Sequence, residues 1–250
     1  MNVKIGYKTL FTTRTIMRSS STSPPPLQHV YHSVKNAQAF CFDVDSTVIT
    51  TEGIDELASY KGCLEQVAAL TRGAMGGNVP FRDALNMRLS LIKPSRIDVE
   101  TFLSKHPFIL TRVIEQVIQK LHRKSVHVYL VSGGFTQMIL PIAKNLEISS
   151  ERVFANTILF DEKNGEYIGF DKNAPTSRDG GKTDVVKKLR ATYKYEEVVM
   201  VGDGATDLQA KTPDAATFFI GYGGCVERKI VKEGADFFIK DWNELLNILD

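Results

Sequence analysis

Ala39-Phe40-Cys41-Phe42 is a short apolar run that stops abruptly at Asp43-Val44-Asp45-Ser46-Thr47. Consecutive apolar residues with no polar alternation read as a strand buried on both faces. Two carboxylates, one residue apart, follow at its end. In extended chain Asp43 and Asp45 point the same way. Their charges repel, and removing both from water is costly unless something compensates. A hard cation such as Mg²⁺ is the usual remedy, because it takes a few carboxylates together with water and phosphate oxygens. The alternative is a self-solvating turn, which aspartate also favours.

Two further apolar runs end in comparable motifs. Val126-His127-Val128-Tyr129-Leu130-Val131 runs into Ser132-Gly133-Gly134, and Val198-Val199-Met200-Val201 into Gly202-Asp203-Gly204-Ala205-Thr206-Asp207. Phe218-Phe219-Ile220 and Phe237-Phe238-Ile239 read as two more short strands. Phe135 to Leu146 reads as a helix that Pro141 should kink or stop early, and Asp184 to Tyr193 as another. Phe154 to Phe160 and Tyr167 to Phe170 flank Asn164-Gly165, a hairpin signal. Buried strands alternating with helices imply a parallel sheet covered on both faces. Residues 53–123 break the rhythm with a mostly helical block punctuated by Pro80, Pro94 and Pro107. The block is too long for an ordinary connection. The fold class is therefore α/β: a Rossmann-like parallel sheet core, residues 27–52 and 124–250, with an inserted helical cap domain at 53–123.

Open α/β sheets bind ligands beyond the carboxyl ends of their strands, so three distant motifs should meet in one crevice. Ser132-Gly133-Gly134 is expected to open a helix, where backbone N–H groups and the Ser132 hydroxyl could cradle a phosphate. Gly180-Gly181-Lys182 precedes another helix and would bring an ammonium to the same anion. Asp203 and Asp207 could join Asp43 and Asp45 around a metal. Gly202-Asp203-Gly204 is not a dinucleotide fingerprint, because Asp207 stands where a third glycine is needed and the motif does not follow the first strand.

Composition narrows the classes. The 250 residues are 43% hydrophobic and 24% charged, which excludes collagen, long coiled coil and wholesale disorder. Cys41, Cys63 and Cys225 show no CxxC spacing, which argues against a disulfide framework or structural zinc site. Residues 1–42 carry five basic residues and no acid, leaving 26 basic against 29 acidic in the remainder. A mildly acidic body gives no reason to expect nucleic acid. No uninterrupted apolar stretch is long enough to span a membrane. Residues 1–26 hold nine Ser/Thr, four Lys/Arg and no acid, ending in Pro24-Pro25-Pro26. That composition matches an organelle transit peptide, for a matrix or stroma; a plain disordered tail on a cytoplasmic protein is the alternative. Met17 could start a shorter form.

Taken in order, Asp43-Val44-Asp45-Ser46-Thr47, Ser132-Gly133-Gly134, Lys182 and Gly202-Asp203-Gly204-Ala205-Thr206-Asp207 resemble the haloacid dehalogenase superfamily of phosphotransferases. Glu52-Gly53-Ile54-Asp55-Glu56-Leu57, Ala74-Met75-Gly76-Gly77 and Gly180-Gly181-Lys182 resemble the phosphoserine phosphatases within it, over residues 39–250. The resemblance implies hydrolysis of phosphoserine to L-serine and phosphate, with Mg²⁺ as cofactor. It makes Asp43 the nucleophile and Asp45 the general acid and base. It places the metal on Asp43, Asp203 and the Asp45 carbonyl, with Asp207 orienting a metal water from behind. Ser132, Gly133, Gly134 and Lys182 would hold the phosphoryl oxygens. Glu52 would meet the substrate ammonium, and Met75 and Gly76 would form pocket wall. Thr206 and Arg228 are carried over as further substrate contacts. The partner is a small molecule, with a homodimer left open.

Arg88 stands on the sequence itself. If 81–92 is one helix, Phe81, Leu85, Arg88 and Ile92 share a face, so Arg88 points inward and wants a carboxylate. The other reading is an aliphatic stem that snorkels to solvent. His127, Cys41 and Trp242 read as core packing. Asp55 and Glu56 read as acids favoured by a helix N-terminus.

Overall fold

The computed structural model describes residues 27–74 and 79–250 of the chain. The expected leader, Met75 and Gly76 lie outside the described residues. Eight strands are present among them: β1 (Ala39–Phe42), β2 (His127–Phe135), β3 (Val153–Asn156), β4 (Ile158–Phe160), β5 (Tyr167–Phe170), β6 (Val198–Gly202), β7 (Phe218–Tyr222) and β8 (Phe237–Ile239). The helices are α1 (Leu27–Asn36), α2 (Gly53–Tyr60), α3 (Leu64–Ala74), α4 (Phe81–Ile92), α5 (Arg96–Lys105), α6 (Ile114–Arg123), α7 (Thr136–Asn145), α8 (Gly181–Tyr193), α9 (Ala205–Gln209), α10 (Lys229–Gly234) and α11 (Trp242–Leu249).

Six strands form one parallel sheet in the order β3-β2-β1-β6-β7-β8. The unbroken apolar runs follow from burial on both faces. In β1, Phe40 and Phe42 join one hydrophobic cluster while Ala39 and Cys41 join the opposite one. The same split recurs in β2 (Val128 and Leu130 against Tyr129 and Val131) and in β6 (Val199 and Val201 against Val198 and Met200). One cluster draws on α1, α6, α7 and α11, the other on α8 and α10. Phe40 and Phe42 are fully buried, and truncating a side chain of this kind costs about 3–5 kcal/mol. The chain leaves β1 for β2 on one side and reaches β6 on the other. This is the switch in strand order at which such sheets open a crevice.

A third cluster gathers Ile54 and Leu57 of α2, Leu85 and Leu89 of α4 and Phe102 of α5 over Phe135, Met138 and the β4–β5 hairpin. Ser95 and Asp98 form a reciprocal capping box that starts α5. The helical block expected to reach residue 123 does not pack as one unit. Ile114, Val117, Ile118 and Leu121 of α6 belong to the sheet-side cluster, so α6 lies with the sheet.

Other local expectations are corrected by the backbone. β2 does not end before Ser132. It runs through Gly133 and Gly134 to Phe135 with a register shift against β3, and α7 starts only at Thr136. α7 continues past Pro141 without an early stop. The stretch 154–160 is divided between two sheets: β3 pairs with β2, and only β4 pairs with β5. Among the described residues no helix is long and apolar enough to cross a membrane.

Candidate active site

The end of β1 is fixed to β6 by the Asp43 N–H, which donates to the Val201 carbonyl at 2.9 Å. The chain then turns tightly. The N–H groups of Thr47, Val48 and Ile49 all donate to the Val44 carbonyl, and Ser46 takes a left-handed φ of 54°. This turn leaves Asp43 facing the crevice at 7% exposure. Asp45 Oδ1 accepts the Gly53 N–H at 2.8 Å. Its other oxygen explains a glycine: a Cβ on Gly134 would come within 2.6 Å of Asp45 Oδ2. Burial, then the negative charges of Glu52 and Asp43, push the Asp45 carboxyl up to about 8, against the Gly53 N–H and Lys182. A carboxyl that keeps its proton near neutrality suits a general acid.

Gly181 is required by packing, because a Cβ there would meet the Pro175 carbonyl oxygen at 1.9 Å. The close seat aims Lys182 inward from the first turn of α8. Its Nζ lies 2.8 Å from Asp43 Oδ1 and 2.6 Å from Asp207 Oδ1. Burial opposes the ammonium, but the charges of Asp207 and Asp43 win and raise its pKa. Asp207 Oδ2 accepts the Gly204 N–H at 3.0 Å. Burial lifts the Asp207 carboxyl to about 7, with Lys182 pulling against it and Asp43 adding to it. Gly202 leaves room for this side chain, since a Cβ there would lie 2.3 Å from the Asp207 carboxylate. Asp203 is 3% exposed and accepts the Thr47 hydroxyl at 3.3 Å. Arg228 pairs with the Asp203 carboxylate, and its Nη1 also donates to the Asp203 carbonyl at 3.2 Å.

Ligand atoms of Asp43, Asp203 and Asp207 lie within 4.8 Å of one another, all buried. Three buried carboxylates beside Asp45 exceed the two cations that touch them, Lys182 and Arg228. A hard divalent cation fits that donor set. The Asp45 carboxylate is outside the cluster. Asp207 is inside it, but both of its oxygens are engaged by Lys182 and Gly204.

A cavity of about 330 Å³ opens onto these groups, lined by Asp43, Asp45 and Lys182 and by Glu52, Arg88 and Arg228. Gly133, Gly134 and Thr206 also line it. Ser132 is buried behind the wall, its Oγ accepting the Gly134 N–H at 3.0 Å. That amide is therefore bonded within the protein and not presented at a helix start. Glu52 Oε1 accepts the Ser46 hydroxyl at 2.7 Å and lies 3.9 Å from Arg228 Nη2. Burial raises its carboxyl above the ordinary range. α4 spans the residues expected of it. Arg88 lies on its inner face, with Nε donating to the Ala84 carbonyl at 3.3 Å. Burial lowers its pKa, against the pull of Asp55, Glu52 and Asp45.

Phe81 and Arg178 are among the lining residues that sequence reasoning did not assign to the site. Phe81 sits over Gly133, where a Cβ would come 3.0 Å from its ring. It shares the stripe of Arg88, which was the available signal. Arg178 adds a cation at the cavity and pairs with Asp184; only its nearness to Gly180-Gly181-Lys182 hinted at it. His127 bonds the Tyr195 hydroxyl, and Cys41 is a core residue whose thiol burial pushes up to about 12.

A parallel sheet with carboxylates at the ends of two neighbouring strands and a buried lysine between them defines a phosphoryl-transfer site. The chain belongs to the haloacid dehalogenase-like hydrolase family, whose model matches residues 37–210. It is 49% identical to phosphoserine phosphatase of Bos taurus over 86% of this chain and 94% of that one. It is 48% identical to the chloroplastic phosphoserine phosphatase of Arabidopsis thaliana over 90% of this chain and 76% of that one. Among solved structures it is similar to a phospho-aspartyl intermediate analogue of phosphoserine phosphatase, with a TM-score of 0.72 and 28% identity over 86% of this chain and 100% of that one.

Proposed function

We propose that this chain hydrolyses O-phospho-L-serine to L-serine and inorganic phosphate through an aspartyl-phosphate on Asp43. The observation that carries the reading is the single cavity in which Asp43, Asp45 and Lys182 face Glu52 and Arg88. The first three supply phosphoryl chemistry, and the last two match an ammonium and a carboxylate.

Asp43 attacks phosphorus and displaces the seryl oxygen, dividing one slow hydrolysis into two easier steps. Asp45 gives its proton to the departing oxygen. It then takes a proton from the water that cleaves the acyl phosphate. The Gly53 N–H orients Asp45 throughout. Lys182 holds a phosphoryl oxygen and offsets the charge that develops on it. Gly133 and Gly134 keep the wall thin enough for the phosphoryl group to approach. Asp43, Asp203 and the main-chain carbonyl of Asp45 would hold Mg²⁺, with Asp207 behind them, and its charge would keep Asp43 ionised and neutralise the transferring group. Arg88 grips the substrate carboxylate and Glu52 its ammonium. Thr206 and Arg228 complete the wall. Helices α2–α5 act as a cap that excludes bulk water.

Residues 1–26 act as an organelle transit peptide. Their basic, hydroxyl-rich composition supports this, as does the similarity to a relative named chloroplastic.

Acid quenching during turnover of ³²P-labelled phosphoserine tests the intermediate. Label on the peptide that contains Asp43 is expected. Turnover with label on no aspartate would overturn the covalent route.

A further inference from the structure

Trp242 is the single tryptophan of the chain, and its buried indole N–H donates to Thr111 Oγ1 at 2.8 Å. An indole can only donate, so Thr111 must accept, and its one hydroxyl proton is left for another acceptor. The main-chain carbonyls of Thr47 and Val48 stand at 2.9 and 3.2 Å. The Thr47 hydroxyl in turn donates to Asp203 Oδ1 at 3.3 Å. A mechanical relay thus runs from α11, through the chain entering α6, to a carboxylate of the acidic cluster, with the covalent frame of Thr47 joining its two hydrogen bonds. Thr47 and Thr111 are 0% and 4% exposed, so water cannot readily replace a lost partner.

The relay meets a second structural feature at Thr111. The Thr111 N–H donates to the Val48 carbonyl at 2.9 Å and the Thr50 N–H to the Ile109 carbonyl at 3.0 Å. Ile49 and Leu110 form an antiparallel bridge between them. The chain returning from α2–α5 is therefore laced to the loop leaving Asp43. Trp242 anchors this lacing, because its ring stacks on Tyr222 with centroids 4.4 Å apart.

We propose that Thr111 is a positioning residue for the acidic cluster. By holding the Thr47 main chain, it keeps the Thr47 hydroxyl on Asp203 and so orients Asp203 toward a divalent cation. The proposal rests on the reading of Asp203 as a metal ligand. Mutating a group that orients a metal ligand from behind typically costs about 10–100-fold in metal affinity.

Mg²⁺ titration of the full chain, followed by calorimetry and by Trp242 fluorescence, tests this. Wild type is expected to show a saturable change in emission at the calorimetric midpoint. Thr111→Val is expected to weaken Mg²⁺ binding about tenfold or more and to lose the fluorescence response. Thr111→Ser, which keeps the hydroxyl, is expected to restore both. If Thr111→Val fails to fold, Trp242→Phe decides by calorimetry alone, with several-fold weaker Mg²⁺ binding expected. Wild-type Mg²⁺ affinity in Thr111→Val, or in Trp242→Phe where that variant decides, would overturn the proposal whatever happens to thermal stability. Asp203→Asn separates the two layers. Unchanged binding there would remove the metal reading itself, whereas loss there with full binding in Thr111→Val would remove only the relay.

Discussion

Lys182 Nζ lies 2.8 Å from Asp43 Oδ1, although the two residues are far apart in the sequence and neither is more than about a tenth exposed. The same ammonium holds Asp207. Removing one partner of a buried charge set leaves the others uncompensated, which costs about 3–5 kcal/mol. Lys182→Met is expected to lower the stability of the metal-free protein by about that amount, as read by urea unfolding. Activity should fall with it. A variant as stable and active as wild type would remove Lys182 from the centre of the site.

Asp43→Asn is nearly isosteric and keeps the N–H that pins β1 to β6. Turnover should fall by on the order of 10³-fold or more, with circular dichroism and thermal midpoint little changed. Near-full activity in the folded variant would assign the nucleophile elsewhere.

Arg88 faces the cavity on α4 and carries no ion pair of its own among the described residues. Arg88→Ala is expected to lower kcat/KM for phosphoserine by about 10²-fold or more, the usual cost of truncating a desolvated charge partner. Phosphoethanolamine, which lacks the carboxylate, should lose far less. Equal losses on both substrates would make Arg88 structural.

Gly134 stands where a Cβ would come 2.6 Å from Asp45 Oδ2. Gly134→Ala must push Asp45 aside, and a displacement of about 1 Å at a reacting group can cost about 10²-fold in rate. Steady-state kinetics on a variant that folds normally should show that loss in kcat. Unchanged kcat would mean that Asp45 has freedom to move.

Asp98 supplies a pH dependence away from the site. Burial raises its carboxyl, but the Lys61 ammonium and the Ser95 N–H and hydroxyl outweigh burial and hold it below the ordinary carboxylate range. A carboxyl depressed in the folded state stabilises above its unfolded value and loses that contribution as pH falls through the folded value. With 24% of this side chain exposed, the contribution is about 1 kcal/mol. Asp98→Asn should be less stable by that amount at neutral pH, and the gap should begin to close below about pH 4 and vanish once the pH lies below the depressed folded value. A gap that does not narrow at all as the pH falls below about 4 would show that packing, not charge, is what Asp98 provides.

Much of this was legible in the chain. The apolar runs at 39–42, 128–131 and 198–201 alternate between two hydrophobic clusters, and only a sheet covered on both faces permits that. The stripe of Phe81, Leu85 and Arg88 identified both a helix and its inner face. Burial of α6 against the sheet was not legible, because its amphipathic pattern does not say which neighbour receives the apolar face. The extension of β2 through Ser132-Gly133-Gly134 was hidden by glycines, which read as loop although the register shift there keeps them in the strand. The pairing of Arg228 with Asp203 and the relay from Trp242 to Thr47 depend on contacts across the fold. No local pattern announces such contacts.

The proposed function has one cavity join metal-assisted phosphoryl transfer to recognition of an amino-acid backbone. Phosphate release from L-phosphoserine, with Mg²⁺ and with excess chelator, beside phosphoethanolamine and other small phosphomonoesters, tests it most directly. Mg²⁺-dependent release with a strong preference for phosphoserine is expected. Metal-dependent release that favours another ester, or no release from any ester by the folded protein, would contradict it.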